Sequence, residues 1–193
     1  MNESFTTTST DNSIISKENI FNSSYESKIE NEENILNLII DSICLEYDNS
    51  IKDYESKGLY ANYDIFYLSS VPPVSLKEYL STVVRFAEIE LSTLINAVIY
   101  IDLFCGKNKY VLTYHNIYRI FIATLLLSLK MNEDKIYSTK SFARITGVSF
   151  DDIKNLEYTM ALKLNFSFHI KKEKYQKYYD YFVNLTAGKK TYN

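Results

Sequence analysis

Apolar side chains recur along this chain at intervals of three and four residues, the spacing that predicts α-helices. The period is clear from residue 34 to residue 47, where one helical face carries Ile35, Leu36, Ile39, Ile40, Ile43 and Cys44. The two-residue alternation of a half-buried strand is almost absent between residues 75 and 168. Four glycines and two prolines in 193 residues leave few breaks. The pattern therefore predicts an all-α protein.

Three helices are predicted in the first part of this region. The first opens at Ser75, which has Glu78 three residues later, the spacing of a capping box. The second extends from about residue 91 to residue 105, before a turn predicted at residues 106–109. The third, at about residues 114–131, is apolar on nearly every side. Such a helix is expected at the centre of the fold, surrounded by its neighbours.

The remaining helices are shorter or lie near the end of the chain. A fourth, at about residues 139–145, is predicted to close at Gly147. A fifth opens at Ser149, where Asp152 stands at the capping-box position. A last helix is predicted at about residues 171–184, with Tyr175, Tyr178, Tyr179 and Phe182 on its packing side.

These elements divide the chain into four parts. Residues 1–32 are rich in Ser and Thr and lack a sustained period, so they are predicted to be a disordered arm. Residues 33–71 hold the N-terminal helix and an irregular connection from residue 48 onward. Residues 72–170 form the five-helix region. Residues 171–193 form a C-terminal helix and tail.

Composition excludes several classes of protein. The net charge of −3 and the absence of a basic cluster before Lys171 argue against a nucleic-acid binder. The most apolar run, residues 120–129, spans only about 15 Å as a helix, half of a bilayer core, so no membrane span is predicted. Cys44 and Cys105 fall within apolar helical patterns and are expected to stay reduced. The first residues carry no apolar signal core, which favours an intracellular location in cytoplasm or nucleus.

Candidate catalytic residues are few. His115 and His169 lack companion ligands at metal-binding spacing. No phosphate-binding loop, dinucleotide fingerprint or serine-hydrolase elbow is present. We therefore expect neither an enzyme nor a cofactor or metal site.

Three charged residues stand on or beside apolar helical faces, where an unpaired charge is costly. Asp102 lies on the stripe of the second helix, which favours an internal structural role. Lys130 prolongs the face of the third helix, and a lysine in a last turn also stabilises free carbonyls. Glu157 stands at the rim of the fifth helix, where a solvated flank is the simplest interpretation.

The order and spacing of three short phrases change that interpretation. Residues 99–102 (Ile-Tyr-Ile-Asp), the helix ending at residues 123–130 and the Leu-Glu at residues 156–157 together resemble a cyclin box. The phrase at residues 73–80 is also similar to single-box cyclins of the yeast phosphate-regulatory type, called P- or U-type. The resemblance covers about residues 72–170. It implies an all-α, five-helix cyclin box with flanking N- and C-terminal helices.

The resemblance also implies a function and its residues. It implies a regulatory subunit that binds and activates a cyclin-dependent Ser/Thr protein kinase by positioning the kinase's αC helix. Lys130 and Glu157 match the positions that hydrogen-bond the kinase backbone near αC, while Met131, Ala161 and Phe168 match apolar interface positions.

The resemblance also bears on Asp102, because cyclins often pair this aspartate with an arginine whose place Pro73 holds here. Arg85 or Arg119 is therefore the expected partner of Asp102. For Lys130 and Glu157 we expect two opposite charges that emerge close together on an apolar surface, unpaired within their own chain. Two alternatives remain open: a helical adaptor that docks another protein, and a cyclin-fold module of the transcription-factor kind.

Overall fold

The computed structural model describes the backbone of residues 11–59, 63–134 and 138–190, and side chains within residues 34–59, 63–134 and 138–185. Its elements are α1 (Asp11–Ser56), α2 (Leu76–Phe86), α3 (Leu91–Asn108), α4 (Ile117–Asn132), α5 (Thr139–Thr146), α6 (Phe150–Lys163) and α7 (Lys172–Lys190). No strand occurs in these ranges, and the all-α prediction is confirmed.

Helix α1 is longer than the sequence predicts at both ends. It begins at Asp11, inside the predicted arm, and continues to Ser56, inside the predicted irregular connection. The first glycine of the chain is Gly58, so no flexible residue interrupts the helix before it. Gly58 adopts a left-handed φ of 65°, and the backbone N–H of Leu59 reaches back to Tyr54 O at 3.0 Å. This glycine stop ends the helix. Residues 1–10 of the predicted arm lie outside the described residues.

Residues 11–37 and residues 38–193 form two separate units. In the second unit, α1 buries an apolar stripe that includes Ile39, Ile40, Ile43 and Ile51. Lys77 of α2 forms an ion pair of 2.9 Å with Asp41, and the Tyr114 hydroxyl donates to the Asp48 carboxylate. The part of the amphipathic face that follows residue 37 therefore packs within this unit.

Helix α2 begins where the sequence predicts. The Ser75 hydroxyl accepts from the Glu78 N–H at 3.2 Å, and the Glu78 carboxylate accepts from the Ser75 N–H at 3.2 Å. This reciprocal pair is the predicted capping box. The helix buries Leu80, Val83 and Val84 and leaves Phe86 exposed.

Helix α3 corrects a predicted turn. The sequence predicts that the second helix ends before residues 106–109, whereas α3 continues through Gly106 to Asn108. The Asn108 amide donates to Phe104 O at 2.8 Å, and the Lys107 ammonium donates to Leu164 O at 3.3 Å. These contacts hold the last turn in place, and Lys109 then ends the helix with a φ of 49°.

Helix α4 is the centre of the fold, as its sequence predicts. Twelve of its sixteen residues are buried, and it packs against α3 and α6. The Asn116 amide secures its start by donating to Val111 O at 2.8 Å and accepting from the Thr113 N–H at 2.9 Å. Because the body of α4 is buried among its neighbours, the position of its exposed end is fixed as well.

Helices α5 and α6 follow the predicted boundaries closely, whereas α7 continues past its predicted end at about residue 184 to Lys190. Gly147 ends α5 with a φ of 69°. Ser149 caps α6 by accepting from the Asp152 N–H at 3.1 Å. Helix α7 packs on α3 and buries Phe182.

The connection between α1 and α2 contributes to the core, which the sequence analysis missed. Phe66 is fully buried and packs against Phe104, with ring centroids 5.4 Å apart. The Arg119 guanidinium donates to Ile65 O at 2.7 Å and so holds this segment against α4.

Candidate partner-binding site

The end of α4 is held rigidly by polar contacts. The Ser128 hydroxyl is buried and donates to Thr93 O of α3 at 2.7 Å. The Asn132 amide donates to Ser128 O at 2.7 Å and to the Ser128 hydroxyl at 3.0 Å. These bonds tie the last turn of α4 to the start of α3 and to the turn before it. The turn that carries Lys130 is therefore fixed relative to α3.

Lys130 and Glu157 form an ion pair across α4 and α6. The Lys130 ammonium lies 2.5 Å from Glu157 Oε1 and donates to the Thr139 hydroxyl of α5 at 3.1 Å. The two side chains keep 26% and 19% of their surface exposed. The pair thus joins three helices at the protein surface.

This geometry confirms one expectation and corrects another. The two charges do lie close together, as the sequence predicts. The prediction that both stay unpaired within the chain is wrong, because each charge neutralises the other. Helices α4 and α6 pack directly together, which brings residues distant in sequence within reach. Two partly buried opposite charges at that contact gain more from pairing than from partial hydration.

The pair still has unused hydrogen-bonding capacity. An ammonium carries three N–H donors, and Lys130 uses two of them on Glu157 and Thr139. A carboxylate accepts at both oxygens, and Glu157 Oε2 makes no hydrogen bond to any residue that the structure describes. One donor and one acceptor therefore remain for a partner.

The three apolar residues predicted for the interface have different exposures. Met131 is 52% exposed, and Phe168 is half-buried. Both line the same cavity, so the structure brings them together. Ala161 is buried beneath the surface and offers little contact area. We call Lys130, Met131, Glu157, Ala161 and Phe168 together the α4–α6 patch.

Three exposed apolar residues near the patch were missed by the sequence analysis. Tyr158 and Leu162 of α6 are 61% and 45% exposed, and Phe166 follows the helix at 57%. Tyr158 and Leu162 are four residues apart and so share one helical face. That spacing is visible in the sequence, but it lies beside the stripe that forms the core. Clustered exposed apolar side chains are typical of interaction surfaces.

Asp102 has a structural partner that differs from the predicted arginine. Its carboxylate accepts from the Tyr178 hydroxyl of α7 at 2.6 Å. Arg85 lies over the Phe86 ring, and Arg119 bonds the 63–75 segment instead. Partial burial raises the pKa of Asp102, and the bond from Tyr178 opposes this rise. Asp102 therefore joins α3 to α7 through a tyrosine of the C-terminal helix, and the predicted arginine partner is wrong.

The candidate metal-binding and reactive side chains of the described residues are dispersed or buried. No group of three His, Cys, Asp or Glu side chains in the described ranges is placed to hold a metal ion. Burial raises the pKa of both the Cys44 and the Cys105 thiol to about 12, which keeps them protonated at neutral pH. His115 stacks on Tyr67 with ring centroids 5.0 Å apart, while His169 is exposed. Among the helices described, none combines the length and apolar character needed to cross a bilayer.

The chain is similar to several cyclins. It is 24% identical to Cyclin-U2-1 of Arabidopsis thaliana over 173 residues, which cover 87% of this chain and 78% of that protein. It is 27% identical to Cyclin-U2-2 of the same plant over 64% of this chain and 54% of the relative. PHO85 cyclin-7 of Saccharomyces cerevisiae is 23% identical over 58% of this chain and 44% of its own length. The chain therefore spans about half the length of two of these relatives.

The family model described as Cyclin matches residues 2–168. This match includes the five helices α2–α6 and the segment that carries Phe168. It also includes α1, which the sequence analysis placed outside the box. The similarity to U-type and P-type cyclins agrees with the resemblance found in the sequence. The chain belongs to the cyclin family.

Proposed function

We propose that this cyclin binds a cyclin-dependent protein kinase through the α4–α6 patch and activates it by positioning the kinase's αC helix. Cyclins are regulatory subunits rather than enzymes, and one relative carries the name PHO85 cyclin-7. The observation that carries the proposal is the Lys130–Glu157 ion pair, which lies at the surface beside the exposed Met131.

The ion pair supports docking because it is already ordered. Each charge holds the other side chain in one position, so a partner need not bear the full entropic cost of fixing two long side chains. The remaining N–H of Lys130 can donate to a carbonyl of the partner, and Glu157 Oε2 can accept from a partner N–H. Together they match the two polar groups of a polypeptide backbone. Met131 and neighbouring apolar residues supply contact area around these bonds.

The proposed activation is a population shift. Kinase phosphoryl transfer requires an ion pair between a lysine and a glutamate of αC, so αC must be turned inward. A cyclin that binds the inward state more tightly raises its population. A shift from 1% to 99% active requires about 5.5 kcal/mol of differential binding. Two hydrogen bonds to charged groups, at about 1.5–3 kcal/mol each, with buried apolar area supply that order of energy.

The test is co-purification of the full chain with a kinase that is then identified by mass spectrometry. The wild type is expected to capture a cyclin-dependent kinase and to raise its activity on a peptide substrate. Lys130→Ala combined with Glu157→Ala should abolish both effects while the circular dichroism spectrum stays unchanged.

A matched control is the exposed ion pair at the end of α1, in which Lys57, the residue after the helix, lies 2.5 Å from Asp53. Lys57→Ala combined with Asp53→Ala should leave capture and activation intact. Capture of only a non-kinase protein would favour the adaptor alternative. A patch variant that still activates the kinase would refute the proposed site.

A further inference from the structure

Two adjoining cavities lie beside α1 and α3, and neither is lined by a residue of the α4–α6 patch. The first, of about 440 Å³, has walls from α1, α3 and α7. The second, of about 480 Å³, has walls from α1, α3 and the segment after α3. Both volumes lie within the usual range of small-molecule sites. Tyr47, Ser50 and Asp102 line both cavities and therefore mark the point where the two meet.

One of these shared residues carries a buried hydroxyl without a partner. Tyr47 is 6% exposed, and its hydroxyl makes no hydrogen bond to any residue that the structure describes. Its ring packs edge-on against Phe121 of α4, with the centroids 6.1 Å apart, which fixes its position. Burial raises the pKa of the Tyr47 hydroxyl well above its ordinary value, and the charge of the nearby Asp102 raises it further. An unpaired buried polar group is rare in native proteins, so this one calls for an explanation.

Asp102 and Ser50 add two more oxygen atoms at the same point. The Asp102 carboxylate uses Oδ2 to accept from the Tyr178 hydroxyl at 2.6 Å, and its Oδ1 makes no hydrogen bond within the described ranges. The Ser50 hydroxyl makes none there either. A primary ammonium ion has three N–H donors and no acceptor. One carboxylate oxygen and two hydroxyl oxygens at one point match these three donors.

The walls of the first cavity suit a cation with an apolar tail. Three aromatic side chains of α7 line it: Tyr178, Tyr181 and Phe182. The face of an aromatic ring attracts a positive charge, and the Lys174 ammonium already lies 6.0 Å from the centroid of the Tyr178 ring. Ile43 and Val98 add aliphatic surface from α1 and α3.

The formal charges at this cavity also favour a cation. Glu46 and Asp102 contribute two carboxylates to its lining, whereas Lys177 contributes the single ammonium. An added positive charge next to Asp102 Oδ1 therefore brings the lining and its ligand together to a formal charge of zero. A partly buried carboxylate gains from such a charge-assisted hydrogen bond.

We propose that these cavities bind a small organic molecule that carries a primary ammonium group and an apolar tail. The ammonium donates to Asp102 Oδ1 and to the hydroxyls of Tyr47 and Ser50, and the tail lies in the first cavity against Val98 and Phe182. The bound molecule contacts α1, α3 and α7, so it fastens the C-terminal helix to the rest of this unit. The inference is independent of the proposed kinase binding, because the cavities and the α4–α6 patch share no residue.

The experiment is isothermal titration calorimetry of the purified full chain with phenethylamine and with n-hexylamine. Each amine is compared with the alcohol of the same shape, phenethyl alcohol or n-hexanol, which carries no charge for Asp102. The wild type should bind at least one amine about tenfold more tightly than the matching alcohol. The same amine should raise the melting temperature, since a ligand that binds only the folded state stabilises it.

Two variants test the assigned residues. Asp102→Asn retains an acceptor for the Tyr178 hydroxyl but removes the charge, so the affinity for the amine should fall at least about tenfold. Tyr47→Phe removes only the hydroxyl and should weaken binding of the amine by a few-fold. Its melting temperature without ligand should stay equal or rise, because an unpaired buried polar atom is removed.

Asp64→Asn is the matched control. The Asp64 carboxylate also accepts from a tyrosine, the Tyr110 hydroxyl at 2.7 Å, but Asp64 lines neither cavity. This variant should bind the amine as the wild type does. The inference is overturned if neither amine binds more tightly than its alcohol. It is also overturned if Asp102→Asn and Asp64→Asn change the affinity for the amine equally.

Discussion

Lys130 Nζ lies 2.5 Å from Glu157 Oε1, and this pair joins residues 27 positions apart at the point where α4 meets α6. The contact gives the two residues a structural role besides the proposed docking role. Their contribution to folding must therefore be separated from their contribution to binding.

The first prediction concerns the stability of that pair. Lys130→Ala or Glu157→Ala alone leaves one partly buried charge without its partner, so each should lower the free energy of unfolding by about 1–2 kcal/mol. The double variant should lose less than the sum, with a coupling of about 1 kcal/mol. Urea denaturation of the four proteins measures this cycle. Purely additive losses would show that the ion pair contributes nothing to folding.

The second prediction concerns the segment that carries Phe168. Tyr100→Phe removes the bond to Phe168 O and should cost about 1 kcal/mol of stability. It should also weaken kinase binding by a few-fold, because Phe168 is then held less firmly. Tyr79→Phe is the comparison, since Tyr79 donates to Thr146 O at the same 2.8 Å away from the patch. Calorimetry and binding titration should show equal loss of stability but weaker binding only for Tyr100→Phe. Equal affinity of the two variants would argue against a docking role for Phe168.

The third prediction concerns pH and Asp102. Partial burial raises its pKa above the ordinary value of 3.8. The folded state then holds the proton more tightly than the unfolded state, so this residue stabilises the fold most at low pH. That contribution is lost as the pH rises through the folded-state pKa. Asp102→Asn can still accept from Tyr178, and it removes the dependence.

The measurement is the free energy of unfolding of both proteins between pH 4 and pH 7. Asp102→Asn should gain stability relative to the wild type as the pH rises across this interval. The effect should be small, because Asp102 keeps part of its surface in solvent. Parallel curves for the two proteins would contradict the assigned environment.

The fourth prediction compares two glycines that have equal space around them. A methyl group added at Gly106 or at Gly147 would meet no atom within 4 Å. Gly106 lies in a regular turn of α3, so Gly106→Ala should stabilise the protein by about 0.5–1 kcal/mol. Gly147 has a φ of 69°, so Gly147→Ala should destabilise it by about 1–2 kcal/mol. Thermal unfolding measures both, and shifts of the same sign would contradict these backbone assignments.

Much of the fold could be predicted from the sequence, because its signals are local. The capping box at Ser75, the glycine stop at Gly147 and the apolar surface of α4 each follow from residues within a few positions of one another. The prediction of a turn at residues 106–109 was wrong. The helix continues there because contacts of Lys107 and Asn108 with the end of α6 outweigh the weak helix preference of Gly106.

The side-chain contacts of the candidate site could not be predicted from local sequence patterns. The Asp102–Tyr178 bond spans 76 residues, and no periodic pattern indicates which side chain of α7 will reach α3. The pairing of Lys130 with Glu157 depends in the same way on how α4 and α6 pack. Chemical type and spacing indicated that these two charges lie close together, but only the packing shows that they neutralise each other.

The most direct test of the central claim exchanges the two charges. Lys130→Glu combined with Glu157→Lys retains an ion pair between α4 and α6 but presents the opposite charge at each position to a partner. The proposed docking role predicts a melting temperature close to that of the wild type, with no measurable binding or activation of the kinase in titration. If the exchanged protein folds normally and still binds and activates the kinase with wild-type affinity, the pair serves only the fold, and the proposed docking role is wrong.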